Sequence, residues 1–181
     1  EMLTFRSLLD CEGNPVQRKI LLAGKVEDML NTVIRQIAFY RFELAVHTER
    51  RAAELTAKRL GDIWMEVQSE SLGPAIRFDD DYRTYWTYIP HFVHSPFYVY
   101  AYAFGDCLVN SLYSVYQGAE VGFVEKYLDM LSAGGTLRHK ELLAPFGLDA
   151  SDPTFWAQGL DVIARLIDEL EEMEKDKGGN G

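Results

Sequence analysis

The stretch NPVQRKILLAGKVEDMLNTVIRQIAFYRFELAVH, residues 14–47, decides the fold class. Asn14 is a good N-cap, and Pro15 suits the first helical position, where a backbone N–H would have no partner in any case. From there Ile20, Leu21, Val26, Met29, Leu30, Val33, Ile34, Ile37, Phe39, Tyr40 and Leu44 recur at roughly helical spacing. No proline follows within the run, and Gly24 is its only glycine. The pattern predicts one long helix reaching His47, on the spine of an all-α fold.

The same signals extend in both directions. Upstream, Glu1-Met2-Leu3-Thr4-Phe5-Arg6-Ser7-Leu8-Leu9 already reads as helix and begins without methionine, as expected of a piece of a larger protein. Downstream, a helix is predicted from Leu55 to Leu72, where Gly73-Pro74 stops it. Residues 74–95 have no sustained period and read as irregular, with one turn of helix near Tyr85. Ser95-Pro96 then opens a helix from Phe97 to Tyr116, followed by helices over Val121–Leu131 and Lys140–Ala144. Asp152-Pro153 caps a last amphipathic helix carrying Trp156, Leu160, Ile163, Leu166, Ile167 and Leu170. The end of the chain, residues 174–181, is charged and then glycine-rich, and is expected to be a flexible tail. No strand signal, repeat or low-complexity tract is found, so residues 1–173 read as an array of about six or seven helices.

Composition narrows the function. Apolar residues make up 48% of the chain and aromatics 13%, enough for a packed core. With 28 acidic against 18 basic residues the formal charge is −10. That acidity offers no basic track for nucleic-acid phosphates and no attraction to an anionic membrane surface. Cys11 and Cys107 are far apart and belong to no CxxC pair, which argues against thiolate zinc ligation and a disulfide framework. A reducing cytoplasm fits best.

The segment Tyr88-Ile89-Pro90-His91-Phe92-Val93-His94-Ser95-Pro96-Phe97-Tyr98-Val99-Tyr100-Ala101-Tyr102-Ala103-Phe104-Gly105-Asp106 is the most informative for chemistry. At about 100° per residue, Tyr98 and Tyr102 share a helix face and Tyr100 points elsewhere. Imidazole and phenol groups converging there suit stabilisation of a developing oxyanion. The plainer alternative, packed tyrosines and a satisfied histidine, stays open on this pattern alone. The four histidines, His47, His91, His94 and His139, form no metal motif. His-Glu-x-x-His is absent, Glu43 and His47 do not match the Glu-x-x-His pairs of di-iron bundles, and His91 and His94 lack an indicated third ligand. No nucleophile elbow, P-loop or dinucleotide fingerprint occurs.

Three stretches together resemble the oligoendopeptidase F group of zinc metallopeptidases, relatives of thimet oligopeptidase. They are Ile34 through His47, then Ile89-Pro90-His91-Phe92 with Pro96 through Gly105, and then Tyr127 through Gly135 continuing to Leu142–Asp149 and Asp152–Trp156. The resemblance runs in order from Glu1 to Trp156 and implies the C-terminal helical part of a peptidase catalytic domain. In that family a His-Glu-x-x-His helix supplies two zinc ligands and the general base, and a later glutamate the third ligand. About two turns on, a further glutamate steadies the zinc-bound histidines. Glu1 looks like this supporting glutamate, so the zinc ligands are expected upstream of residue 1, and none within this chain.

The resemblance also implies that His91 to Tyr102 form the substrate-side element. Tyr102 and His91 are the expected catalytic groups, Tyr102 as oxyanion donor with Tyr98 as the competing choice. Tyr98, His91 and Tyr100 are the expected substrate-binding groups. The segment departs from thimet oligopeptidase in loop length and lacks the glycine-rich loop after the histidine. The implied substrates are short peptides. The implied partner is the N-terminal half of the same protein, whose loss would uncover apolar surface and favour self-association. The competing function is a non-catalytic helical module that docks a peptide or protein on the aromatic segment.

Overall fold

Asn14 does cap a helix: its Oδ1 accepts the N–H of Val16 at 2.9 Å. In the computed structural model, which describes residues 1–118 and 121–178, the run from Asn14 to His47 is nevertheless two helices. After α1 (Met2–Cys11) come α2 (Pro15–Thr32) and α3 (Ile34–Arg50), separated at Val33. The expected single helix is corrected here, and its break has a local cause. Thr32-Val33-Ile34 is a β-branched run whose side chains crowd the preceding turn. Thr32 also donates its hydroxyl to the carbonyl of Asp28 at 2.8 Å, a back-bond that tends to bend helices. Val33, at φ −102° and ψ −67°, leaves ideal helical geometry while its side chain stays fully buried.

The remaining helices are α4 (Ala57–Leu72), α5 (His91–His94), α6 (Tyr100–Gln117), α7 (Phe123–Ala133), α8 (His139–Leu143) and α9 (Pro153–Gly178). Among the described residues there are nine helices and no strand, an all-α array. Seven are substantial, while α5 and α8 are pieces of four and five residues. The α4 helix begins on Thr56, whose hydroxyl accepts the N–H of Arg59 at 3.2 Å, and ends on Gly73 at φ 66°. Between α4 and α5 the chain is irregular except for 3₁₀ turns at Gly73–Ala75 and Asp80–Tyr88. Asp152 caps α9 by accepting the N–H of Thr154 at 2.9 Å. That helix continues beyond residue 173 to Gly178, so the first part of the expected tail is helical. Residues 179–181 lie outside the described residues.

Two compact units emerge, residues 1–27 with 106–181, and residues 28–105. In the first, Leu112, Leu143, Phe146, Leu148 and Phe155 form a buried cluster. Arg6 and Arg18 both reach Glu169, tying the N-terminal helices to α9. Gly159 of α9 lies against the backbone of Cys107 in α6. The second unit is built on α3 packed against α4. Its core is Ala38, Phe39, Phe42, Ile63, Trp64, Val67 and Val99, and it is unusually aromatic. Phe39 stacks on Trp64 at 5.5 Å between ring centroids, and Phe42 meets the same indole edge-on at 5.3 Å. Offset and edge-on pairs of this kind add to area burial, because the ring edge carries the opposite partial charge to the face.

Candidate functional site

The second unit holds all the residues of the aromatic segment up to Gly105. Its aromatic core fixes the position of α5. Phe92 inserts between Phe42 (5.1 Å), Phe39 (5.7 Å) and Trp64 (6.3 Å), while Val93 and His94 face solvent. With Phe92 anchored, His91 is left at the rim, half-buried.

There His91, Tyr98 and Tyr102 come together. The Tyr102 hydroxyl lies 3.2 Å from His91 Nε2. The Tyr98 ring is parallel to the imidazole, 4° between planes at 6.0 Å, and Tyr102 stands perpendicular to both at 5.8 and 5.7 Å. Tyr98 is 52% and Tyr102 41% exposed, so both residues lie on an open surface. Tyr100 is not part of this group. Its ring meets Tyr40 edge-on at 6.2 Å, as the helical angle from Tyr102 within α6 requires. In the hydrogen bond to His91 the phenol can donate to a neutral Nε2 or accept from a protonated one.

The helix expected from Phe97 starts instead at Tyr100, because Phe97 adopts φ 60°. Its N–H donates to Glu43 Oε1 at 2.9 Å. Glu43 sits on the core face of α3, 2% exposed, and Oε2 has no hydrogen-bond partner. Burial pushes its carboxyl above the ordinary value, against the opposing pull of the Phe97 N–H and of His47 and His91 when protonated. Sequence reasoning did not place Glu43 at the site. The available signal was a glutamate four residues after Phe39 and next to Phe42, on the apolar face of its helix.

Glu1 belongs to the first unit and is exposed at the start of α1. It pairs with Lys25, whose hydrogen bond and charge hold its carboxyl below the ordinary value. Around it lies an apolar hollow lined by Leu3, Val109, Tyr116, Val124 and Leu128, among others. Among the described residues no three His, Cys, Asp or Glu side chains group so as to hold a metal ion. Nor is any described helix long and apolar enough to cross a membrane.

The described residues thus form an all-α array in which an imidazole and two phenols meet on an open face. The profile of Peptidase family M3 matches residues 2–162, and the chain belongs to that family. It is similar to oligopeptidase PepF of Bacillus subtilis, with 29% identity over 174 residues, 96% of this chain and 26% of that protein. It is also similar to an oligoendopeptidase F homolog of Borreliella burgdorferi, with 27% identity over 96% of this chain and 29% of that protein. The solved structure of oligoendopeptidase-F from Enterococcus faecium superposes with a TM-score of 0.85 at 27% identity, covering 95% of this chain and 33% of that one. The chain therefore spans between a quarter and a third of the length of these relatives.

Proposed function

We propose that this chain is the C-terminal part of a zinc-dependent oligoendopeptidase, and that it supplies the wall holding the substrate peptide and its developing oxyanion. One observation carries the proposal: Tyr102 and His91 meet at 3.2 Å on an open face, in a chain of a peptidase family. Attack on a peptide carbonyl moves negative charge onto its oxygen, and donors already aimed there lower the barrier. In the substrate complex His91 donates Nε2–H to the Tyr102 oxygen, which leaves the phenol O–H free to donate to the carbonyl oxygen. Tyr98, parallel to the imidazole, keeps the ring in plane. The exposed hydroxyls of Tyr98 and Tyr100 are available to the backbone of a bound peptide.

The family is generally zinc-dependent. By the resemblance to that family, the zinc ligands are assigned to parts of the enzyme outside this chain. In that enzyme Glu1 would hydrogen-bond the metal-bound imidazoles, which fixes their orientation and basicity. Short, unstructured peptides are the substrates, in keeping with the oligopeptidase names of the relatives. The partner is the N-terminal half of the same protein, and the apolar hollow beside Glu1 favours self-association in its absence. A cytoplasmic setting suits two free thiols, one of them exposed.

The test is Tyr102→Phe in the complete peptidase. Turnover should fall about a hundredfold or more, with zinc content and fold unchanged, since losing one oxyanion donor typically costs that much. Tyr98→Phe should cost less and Tyr100→Phe least. An unchanged kcat for Tyr102→Phe would remove the assignment.

A further inference from the structure

We propose that Glu43 is a positioning residue for this site: its buried carboxylate clamps the left-handed turn at Phe97 and so sets where Tyr98 and Tyr102 stand relative to His91. The inference rests on the reading of the site given above, but its geometry stands separately.

Phe97 is the only non-glycine residue with positive φ among the described residues. Such a conformation brings Cβ against the following carbonyl and persists only where the surroundings over-determine it. Here α3 provides those surroundings. Tyr40, Glu43 and His47 follow at i, i+3 and i+7 on one face of the helix. The Phe97 ring lies 4.8 Å from the imidazole of His47 and 6.0 Å from the Tyr40 ring, and its N–H reaches Glu43 Oε1 at 2.9 Å. Two rings hold the side chain and one carboxylate holds the backbone.

The turn matters because it joins the helix that carries His91 to the one that carries Tyr102. Ser95 N–H bonds the His91 carbonyl at 3.0 Å, Tyr98 N–H bonds that of Ser95 at 3.1 Å, and Ala101 N–H bonds that of Tyr98 at 2.9 Å. Pro96 has no N–H to contribute. Within Pro96–Phe97 the only hydrogen bond from a backbone N–H is therefore the one to Glu43. Were Phe97 to relax to negative φ, α6 would leave the turn in another direction, and the 3.2 Å contact of Tyr102 with His91 would open. A buried carboxylate with one unpartnered oxygen is a poor choice for packing alone, where an apolar side chain of similar volume serves better. What this residue supplies is the acceptor.

The experiment compares Glu43→Met, which keeps the volume and removes the acceptor, with Glu43→Gln, which keeps an acceptor and removes the charge. Both are placed in the complete peptidase, alone and combined with Tyr102→Phe. For Glu43→Met, kcat should drop roughly tenfold to a hundredfold with KM changed no more than about threefold, as expected when a transition-state donor is misplaced. Hydrogen exchange over residues 95–102 should quicken in the same variant. Glu43→Gln should keep turnover within about threefold and exchange as in the parent. Adding Tyr102→Phe to Glu43→Met should cost little beyond the worse single change, because both remove the same interaction. Multiplying losses, or a kcat of Glu43→Met equal to the parent while Tyr102→Phe is impaired, would overturn the proposal. So would a Gln variant whose turnover falls about tenfold or more below the parent, a result that does not depend on Glu43→Met folding. If Tyr102→Phe is itself harmless, the oxyanion assignment fails, and exchange over 95–102 alone decides the clamp.

Discussion

His91, Tyr98 and Tyr102 were legible because their relation is local. All three lie within one short stretch of sequence and their rings come within 6.0 Å of each other, although Tyr98 precedes α6 and does not share a helix with Tyr102. Glu43 was not legible. Its partner is a backbone N–H 54 residues away, and backbone donors leave no mark in a sequence. The left-handed Phe97 was hidden for the same reason, since no glycine or asparagine advertises it. The burial of Glu43 has a consequence for pH. Its carboxyl is raised from the ordinary 4.5, so the native state keeps that proton to higher pH than the unfolded chain does. Full stability is present below the unfolded value and declines as pH rises through the folded one. Glu43→Gln cannot ionise, so its stability relative to the parent should improve as pH is raised from about 4 to 7. Urea titrations of both proteins at those pH values measure this, and a relative stability that worsens with pH would contradict it.

At the scale of elements, helix identity followed from periodicity and helix ends from caps. Asn14 and Asp152 accept the backbone N–H groups expected of them, and Thr56, which the sequence reading did not single out, caps α4 in the same way. Where the sequence misled, a local break interrupted a continuous pattern. Residues 14–47 keep their apolar period across Val33, yet the chain breaks there, because period reports which face is buried and not whether the axis is straight. Close approach between helices was equally invisible. A Cβ on Gly159 would lie 2.8 Å from the Cys107 carbonyl oxygen and 3.0 Å from its Cα, backbone atoms that cannot step aside. Gly159→Ala should therefore destabilise the fold by about 1–3 kcal/mol despite its better helix propensity. Gly105, also helical, has nothing within 4 Å of such a Cβ. Gly105→Ala should stabilise by up to about 1 kcal/mol. Thermal unfolding of the two variants separates packing from propensity, and equal shifts for both would show that the close approach of α9 to α6 is not maintained.

For the whole molecule, composition and order decided more than any single residue. An acidic sequence without a strand signal and with one irregular segment between long helices left few architectures open, and the family follows from its match over residues 2–162. The division into two units was not legible, because its boundaries fall inside α2 and α6 and the sequence runs through both without a linker. Activity belongs to this scale as well. Peptide hydrolysis needs an activated nucleophile, a base and an oxyanion donor in one place. On the function proposed above Tyr102 and His91 supply the donor, while the zinc ligands and base belong to parts of the enzyme outside this chain. An isolated donor contributes only a small part of the acceleration an enzyme requires. The chain on its own, incubated with a quenched peptide and added zinc, should therefore release no fluorescence above the peptide blank. The complete polypeptide should cleave the same peptide, lose that activity to a chelator and regain it with zinc. Zinc-dependent turnover by residues 1–181 at a rate near that of the complete enzyme would mean that nucleophile, base and ligands all lie within this chain, and the division of labour proposed here would be wrong.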